Sequence, residues 1–273
     1  MILVYLAQLP LFAAGLWLGT GACASAGLVA TVILASVGNR LAAMVFAVLN
    51  VIPVVLIVRQ SLLARAGTDD QVAWYPPGLL TAWLTGLGLA AAAATVVFLG
   101  GPQAMQAALR EALAPALGNL DEITPEHDEL LAFIAVILPG IIATSWMVMT
   151  ATNGSLAQGL LARFGASWRP SPDLATLGLP VWIPALLGLA AGATLLGGTV
   201  RFVGINVMIV LAVPFCLAGL AVLHTVARRF PRPAITLLTF YLIAGVFGWP
   251  LLLIAVLGLL DSPLGLRRRF APP

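Results

Sequence analysis

The sequence predicts an all-α fold: a polytopic transmembrane helical bundle of about eight spans, with one or two interfacial amphipathic helices. Three observations carry that prediction. Mean hydropathy is +1.07 and 61% of the residues are hydrophobic. The 273 residues include 13 basic and 10 acidic ones, where an average soluble chain of this length would carry roughly 68 charged side chains. Apolar residues recur in blocks of about 18–25, the length that crosses roughly 30 Å of hydrocarbon as helix.

Residues 1–37 hold no charged side chain and are too many for one span. Gly19-Thr20-Gly21 divides them into spans near 2–18 and 22–38. Ala22-Cys23-Ala24 resembles a leader cleavage site, but no basic segment precedes the first block and another apolar block follows at once, so a span is the better reading. A third span runs over 41–58 with Asn50 and Pro53 near its middle. Arg59, Arg65, Asp69 and Asp70 then mark a polar loop, which ends in the interfacial aromatics and turn Trp74-Tyr75-Pro76-Pro77.

A fourth span, 78–100, closes at Gly100-Gly101-Pro102. Beyond it Met105, Leu109, Leu113 and Leu117 recur every fourth residue, with Gln103, Gln106, Arg110 and Glu111 on other faces. That pattern predicts a short amphipathic helix lying in the interface. The acidic cluster Asp121, Glu122, Glu126, Asp128 and Glu129 surrounds His127. Thr124-Pro125-Glu126 reads as an N-cap, a proline at N1 and acids in the first turn, which explains the cluster as a helix start better than as a metal site. No metal and no cofactor are expected.

Span five covers 130–152, with a kink at Pro139-Gly140. A polar loop with Asn153, Arg163, Trp168 and Arg169 follows, in which Leu156, Leu160, Leu161 and Phe164 keep the spacing of a second interfacial helix. Spans six, seven and eight cover 180–196, 203–223 and 234–260, the last kinked at Gly248-Trp249-Pro250. Eight spans put Arg40, Arg110, Arg201, Arg267, Arg268 and Arg269 on one side and the other seven arginines opposite. So even a division does not orient the chain, although the compact C-terminal triplet favours both termini inside.

Several chemistries fall away. Cys23 and Cys216 lie in separate apolar blocks without a metal-ligand spacing. All basic residues are arginine, which removes lysine Schiff-base chemistry and a phosphate-loop lysine, so the chain is no ATPase by itself. Span interiors hold no acid and no histidine, which disfavours a carrier that runs on a buried carboxylate. Their polarity is neutral, from Asn50, Ser145, Thr150, Thr194, Asn206 and Thr239. No hydrolase or metalloprotease motif occurs, and the chain is not expected to be an enzyme. Gly15 with Gly19, and Gly188 with Gly192, have the spacing of close helix contacts, and Ala22, Ala26 and Ala30 form a small-residue stripe. These faces are candidates for helix packing or for docking a partner.

Asn153-Gly154-Ser155-Leu156 through Leu161-Ala162-Arg163-Phe164-Gly165, followed by Leu179-Pro180-Val181-Trp182, resembles a block of the YybS-like predicted bacterial membrane proteins. Gly204-Ile205-Asn206-Val207 leading to Ala218-Gly219-Leu220-Ala221-Val222 is similar as well, and so is the close, Gly258-Leu259-Leu260-Asp261 with Leu266-Arg267-Arg268-Arg269. The family has no established function. It is distantly similar to the S components of energy-coupling-factor transporters, helical proteins that capture vitamins or metal ions and dock on a transmembrane coupling subunit with ATPases. The resemblance therefore implies a protein of the bacterial cytoplasmic (inner) membrane that binds a small solute, with the alanine stripe as a docking face. Asn50, Trp146, Asn153 and Asn206 are the candidate solute contacts. The alternative is a membrane scaffold or assembly factor whose arginine-bearing loops recruit a partner protein; neither reading involves nucleic acid.

Overall fold

In the computed structural model, which describes residues 5–66, 72–117 and 125–270, the fold is all-α apart from one short hairpin. The chain forms two compact units, residues 1–84 with 147–179 and residues 85–146 with 180–273.

The first unit begins with α1 (Leu9–Leu18), which has a proline in its first turn, and α2 (Thr20–Val37). Gly19 joins them at φ +96°, a conformation that L side chains avoid. Asn39 then starts a new helix, its side chain accepting the Leu41 N–H at 2.8 Å. Helix α3 (Arg40–Phe46), a π-helical stretch at Ala47–Val51 and α4 (Ile52–Ser61) continue from one another. Inside the predicted polar loop the chain makes an antiparallel pair, β1 (Ala64–Ala66) with β2 (Val72–Trp74), in which Arg65 faces Ala73. Asp69 and Asp70 lie outside the described residues, as do residues 2–4 of the first predicted span. Leu11, Phe12 and Leu16 of α1 pack with Cys23, Val54, Val58, Ala157 and Leu161 as the core of this unit.

Helix α5 (Pro77–Leu99) leads through Gly100, at φ +85°, into α6 (Pro102–Leu117). The first half of the α6 stripe is seated on protein, Met105 buried with Ala135 and Phe202 and Leu109 packed against them, while Leu113 is exposed. Helix α7 (Pro125–Arg163) starts with Glu126 and Asp128 in its first turn, as the acidic cluster predicts. Thr124, Asp121 and Glu122 lie outside the described residues. Arg110 pairs with Asp128, and Gln106 Nε2 donates to the Asp128 carbonyl at 3.2 Å.

The sequence predicts a loop and a separate interfacial helix after residue 152, whereas α7 runs unbroken for 39 residues. Asn153 and Gly154, where the predicted loop begins, are absorbed by packing. Asn153 turns its amide back to the Met149 carbonyl at 2.8 Å, and Gly154 lies against the Phe12 ring.

Helices α8 (Trp182–Thr194) and α9 (Gly198–Ala227) form a hairpin, with Gly204 close to the Ala190 carbonyl and the Ala193 methyl. Predicted span eight is not one straight helix. It is α10 (Pro233–Phe247) and α11 (Pro250–Leu264), whose axes turn through 119°. Gly248, at φ +69°, makes the turn, and Pro250 starts the next helix. Tyr241 of α10 lies 6.0 Å from the His224 ring, so α10 runs back along α9. Helix α11 then lies beside α9 in the same direction. A side-chain carbon on Gly219 would run into the Ile254 carbonyl, and one on Gly258 into the Phe215 carbonyl. Farther along both helices, Arg229 Nη2 donates at 3.3 Å to the Arg269 carbonyl of α12 (Leu266–Phe270). The C-terminal arginines thus stand at the same end of α9 as Arg228 and Arg229, which overturns the even division of charge expected from eight crossings.

Five helices, Thr20–Val37, Arg40–Ser61, Pro77–Leu99, Glu126–Arg163 and Gly198–Ala227, are long and apolar enough to cross a membrane, and the α10–α11 pair makes a sixth if taken as one broken span. The remaining two apolar segments are helical but short, at Leu9–Leu18 and Trp182–Thr194. Many of these helices carry fully apolar outward faces: Phe98 is 86% exposed, Leu195 87% and Val246 75%. Surfaces of this kind fit hydrocarbon and not water.

Gly258→Ala forces the α9 and α11 backbones apart and is expected to lower stability by about 2 kcal/mol. Gly188→Ala, with open space around it, is expected to leave the melting temperature of the detergent-solubilised protein unchanged.

Candidate functional site

Helix α7 carries one amide into the first unit and contacts another in the second, and the two amides differ in what they leave unsatisfied. Asn153 is 1% exposed. Its Nδ2 donates to the Tyr5 carbonyl at 2.7 Å and to the Met149 carbonyl, while its Oδ1 has no partner among the described residues. One turn beyond Tyr5, Gln8 is fully buried and repeats the pattern: Nε2 donates to the Leu49 carbonyl at 3.2 Å, and Oε1 has no partner among the described residues. Leu49 lies in the π-helical stretch, one turn before Pro53, and Gln8, the residue that precedes α1, donates to its carbonyl. Both amides therefore spend their N–H groups on backbone carbonyls and keep an acceptor oxygen buried and unused. Such an oxygen costs about 1–3 kcal/mol when left without a donor.

Asn206, on α9, is saturated. Its Oδ1 accepts the Gly140 N–H at 2.7 Å, and its Nδ2 donates to the Val136 carbonyl at 2.9 Å and to the Phe202 carbonyl at 2.8 Å. Gly140 and Val136 are the groups an undisturbed helix would pair with each other, next to Pro139, and the amide bridges them from the neighbouring helix. Gly140 makes room for it, since a side-chain carbon there would sit 3.0 Å from Asn206 Oδ1. Thr144 Oγ1 adds a second tie between these helices, donating to the Ile209 carbonyl at 3.1 Å.

The four predicted solute contacts are distributed over both units. Asn50 is half-buried in the π-helical stretch, in the same unit as Asn153, whereas Trp146, half-buried on α7, belongs with Asn206 to the other. Gln8 was not singled out from the sequence, where it stands as one polar residue within an uncharged apolar block.

Among the predicted packing residues, Gly15 lies against Val58 and Cys23, and Gly19 serves the turn. Ala22 and Ala30 are half-buried and Ala26 is exposed; the side of α2 that meets the π-helical stretch is instead Cys23 and Gly27, a carbon on Gly27 overlapping Val51. Gly188 and Gly192 are exposed with open space around them, and Gly204, Gly219 and Gly258 make the close contacts of the second unit.

Arg169 is 5% exposed in the segment between α7 and α8. Its guanidinium donates to the Ser61 carbonyl at 3.0 Å and the Tyr75 carbonyl at 2.8 Å, fastening that segment to the end of α4 and to the hairpin. Ser61 ends α4, where carbonyls lack helical partners and the helix dipole favours a cation. Burial pushes the Arg169 pKa below its usual value. Among the described residues no group of three histidine, cysteine or carboxylate side chains could hold a metal ion.

No family model, no curated protein and no solved structure matches the chain.

Asn206→Leu removes the bridge at Pro139 and strands the Gly140 N–H and Val136 carbonyl; folded yield is expected to collapse, with a loss of about 3 kcal/mol in thermal unfolding. Arg169→Ala is expected to cost about the same, through two charge-assisted bonds, and to expose the segment between α7 and α8 to limited proteolysis.

Proposed function

We propose that the protein is a multi-pass protein of the bacterial inner membrane that holds a small solute among the helices of its first unit, as the substrate-binding subunit of a transporter in the manner of S components. All eight apolar helical segments are then inserted in the bilayer, with the short α1 and α8 completed by their flanking residues. The observation that supports this reading is the pair of buried acceptors without donors, Gln8 Oε1 and Asn153 Oδ1. Within hydrocarbon such oxygens are stabilised by an incoming N–H or O–H, so the matching solute is neutral or weakly charged and presents hydrogen-bond donors. Since the chain has no lysine for a phosphate loop, the energy for moving that solute comes from a partner, a transmembrane coupling subunit with its ATPases. The likeness to the YybS-like proteins belongs to the same proposal.

The test is purification from the membranes of its own host in mild detergent, followed by mass spectrometry of bound small molecules and associated proteins. The wild-type protein is expected to retain one donor-bearing solute together with coupling-subunit and ATPase peptides. Asn153→Ala, and separately Gln8→Met, are expected to retain about tenfold less solute, the worth of one buried hydrogen bond. A wild-type protein free of solute, accompanied by some other abundant protein, would replace this reading with that of an assembly factor.

A further inference from the structure

The reversal of α10 into α11 returns the chain to the end of α9 that it had left. Arg228, Arg229 and Arg232 follow that end of α9 and are exposed. Arg267, Arg268 and Arg269 lie in α12, which packs on α9, and the contact of Arg229 with the Arg269 carbonyl joins the two groups. Asp261 is the one acid in the chain after Asp173. Both of its oxygens are engaged by Arg267: Oδ1 accepts the backbone N–H at 2.9 Å and Oδ2 accepts Nε–H at 2.6 Å. Among the described residues six arginines with one engaged carboxylate therefore share one end of α9, whereas Arg201, and Arg110 of α6 paired with Asp128, stand toward its other end.

The surroundings of this charge decide what it meets. Directly below it, Leu238, Leu242 and Val246 of α10 and Leu252 and Val256 of α11 are all more than half exposed, an apolar belt made for acyl chains. Phe230, 51% exposed, and Pro231 stand among the arginines. Guanidinium groups immediately above a hydrocarbon-facing belt lie at the depth of lipid phosphates, which their planar fork of donors fits. An arginine excess of this size across one spanning helix also assigns that end to the cytoplasmic side.

We propose that the end of the second unit formed by Arg228, Arg229, Arg232 and Arg269 is a docking surface for anionic phospholipid headgroups in the cytoplasmic leaflet. The full chain is reconstituted into vesicles of phosphatidylcholine mixed with phosphatidylglycerol and re-extracted gently, and the retained lipids are quantified by mass spectrometry. Wild-type protein is expected to retain phosphatidylglycerol above its share of the vesicle, and high salt is expected to abolish the preference. Arg228→Gln/Arg229→Gln/Arg232→Gln is expected to lower the enrichment by about tenfold or more, while Arg201→Gln leaves it unchanged. Retention at the bulk ratio by wild type, or undiminished enrichment in the triple variant, overturns the proposal. Should the triple variant not fold, the salt response of the wild type decides, because a preference that survives high salt is not held by these arginines.

Discussion

Asn206 stands between the Gly140 N–H and the Val136 carbonyl, bonded to both, and the second unit is arranged around that contact. Beside Pro139 these two groups of α7 take a side-chain partner, as buried polar groups in hydrocarbon have to find their partners inside the protein. The partner comes from α9, so α9 must approach closely, which it does only because residue 140 is glycine. Helix α8 lies on the first half of α9 at Gly204, and α11 lies along the second half at Gly219 and Gly258. Fixing α9 against α7 therefore fixes the frame on which α8 and α11 are laid. In the first unit Gln8 likewise donates to the Leu49 carbonyl, one turn before Pro53. In both units a side-chain amide bonds the backbone of another segment near a proline, so these amides specify which segments are neighbours.

The class of fold was legible because it depends on composition and block length, which neighbours do not alter. All eight apolar segments are helices, and the acids at Glu126 and Asp128 do open one. What was not legible depended on a second helix. Asn153-Gly154 carries the local signature of a helix end, and only contacts with Tyr5 and Phe12 carry the helix through it. The bend at Gly248 could be read as a kink, but its size could not, because 119° is set by the packing of α11 on α9. Gly15 lies against Val58 and Cys23 while Gly188 and Gly192 have open space around them, since spacing shows which positions share a face and not whether a neighbour within the chain occupies it. Of the candidate site, Asn153 was visible as a polar residue beside a span. Its unused oxygen was not, because satisfaction is a property of the folded pair.

The two kinds of buried amide divide the labour of the chain. A saturated amide such as Asn206 is structural cement: every change at it is felt by two helices. A half-used amide such as Asn153 or Gln8 holds the backbone with its N–H groups and keeps its oxygen facing inward, so one side chain both builds the fold and leaves an acceptor in it. Arg169 shows the corresponding arrangement for charge, a cation held by the carbonyls of Ser61 at a helix end and of Tyr75.

The π-helical stretch at Ala47–Val51 sets a limit on how this sequence can change length. A π turn accommodates one residue more than an α turn, so the faces of α3 and α4 are offset by about 100° relative to a continuous α-helix. Val54 and Val58 are buried because of that offset. Loss of a single residue between 47 and 51 would restore regular winding and rotate α4 about its axis, carrying both valines out of the core and moving the Leu49 carbonyl away from Gln8. The stretch is therefore a rotational register for the first unit: substitutions within it are absorbed locally, whereas a one-residue deletion would be transmitted to everything packed on α4.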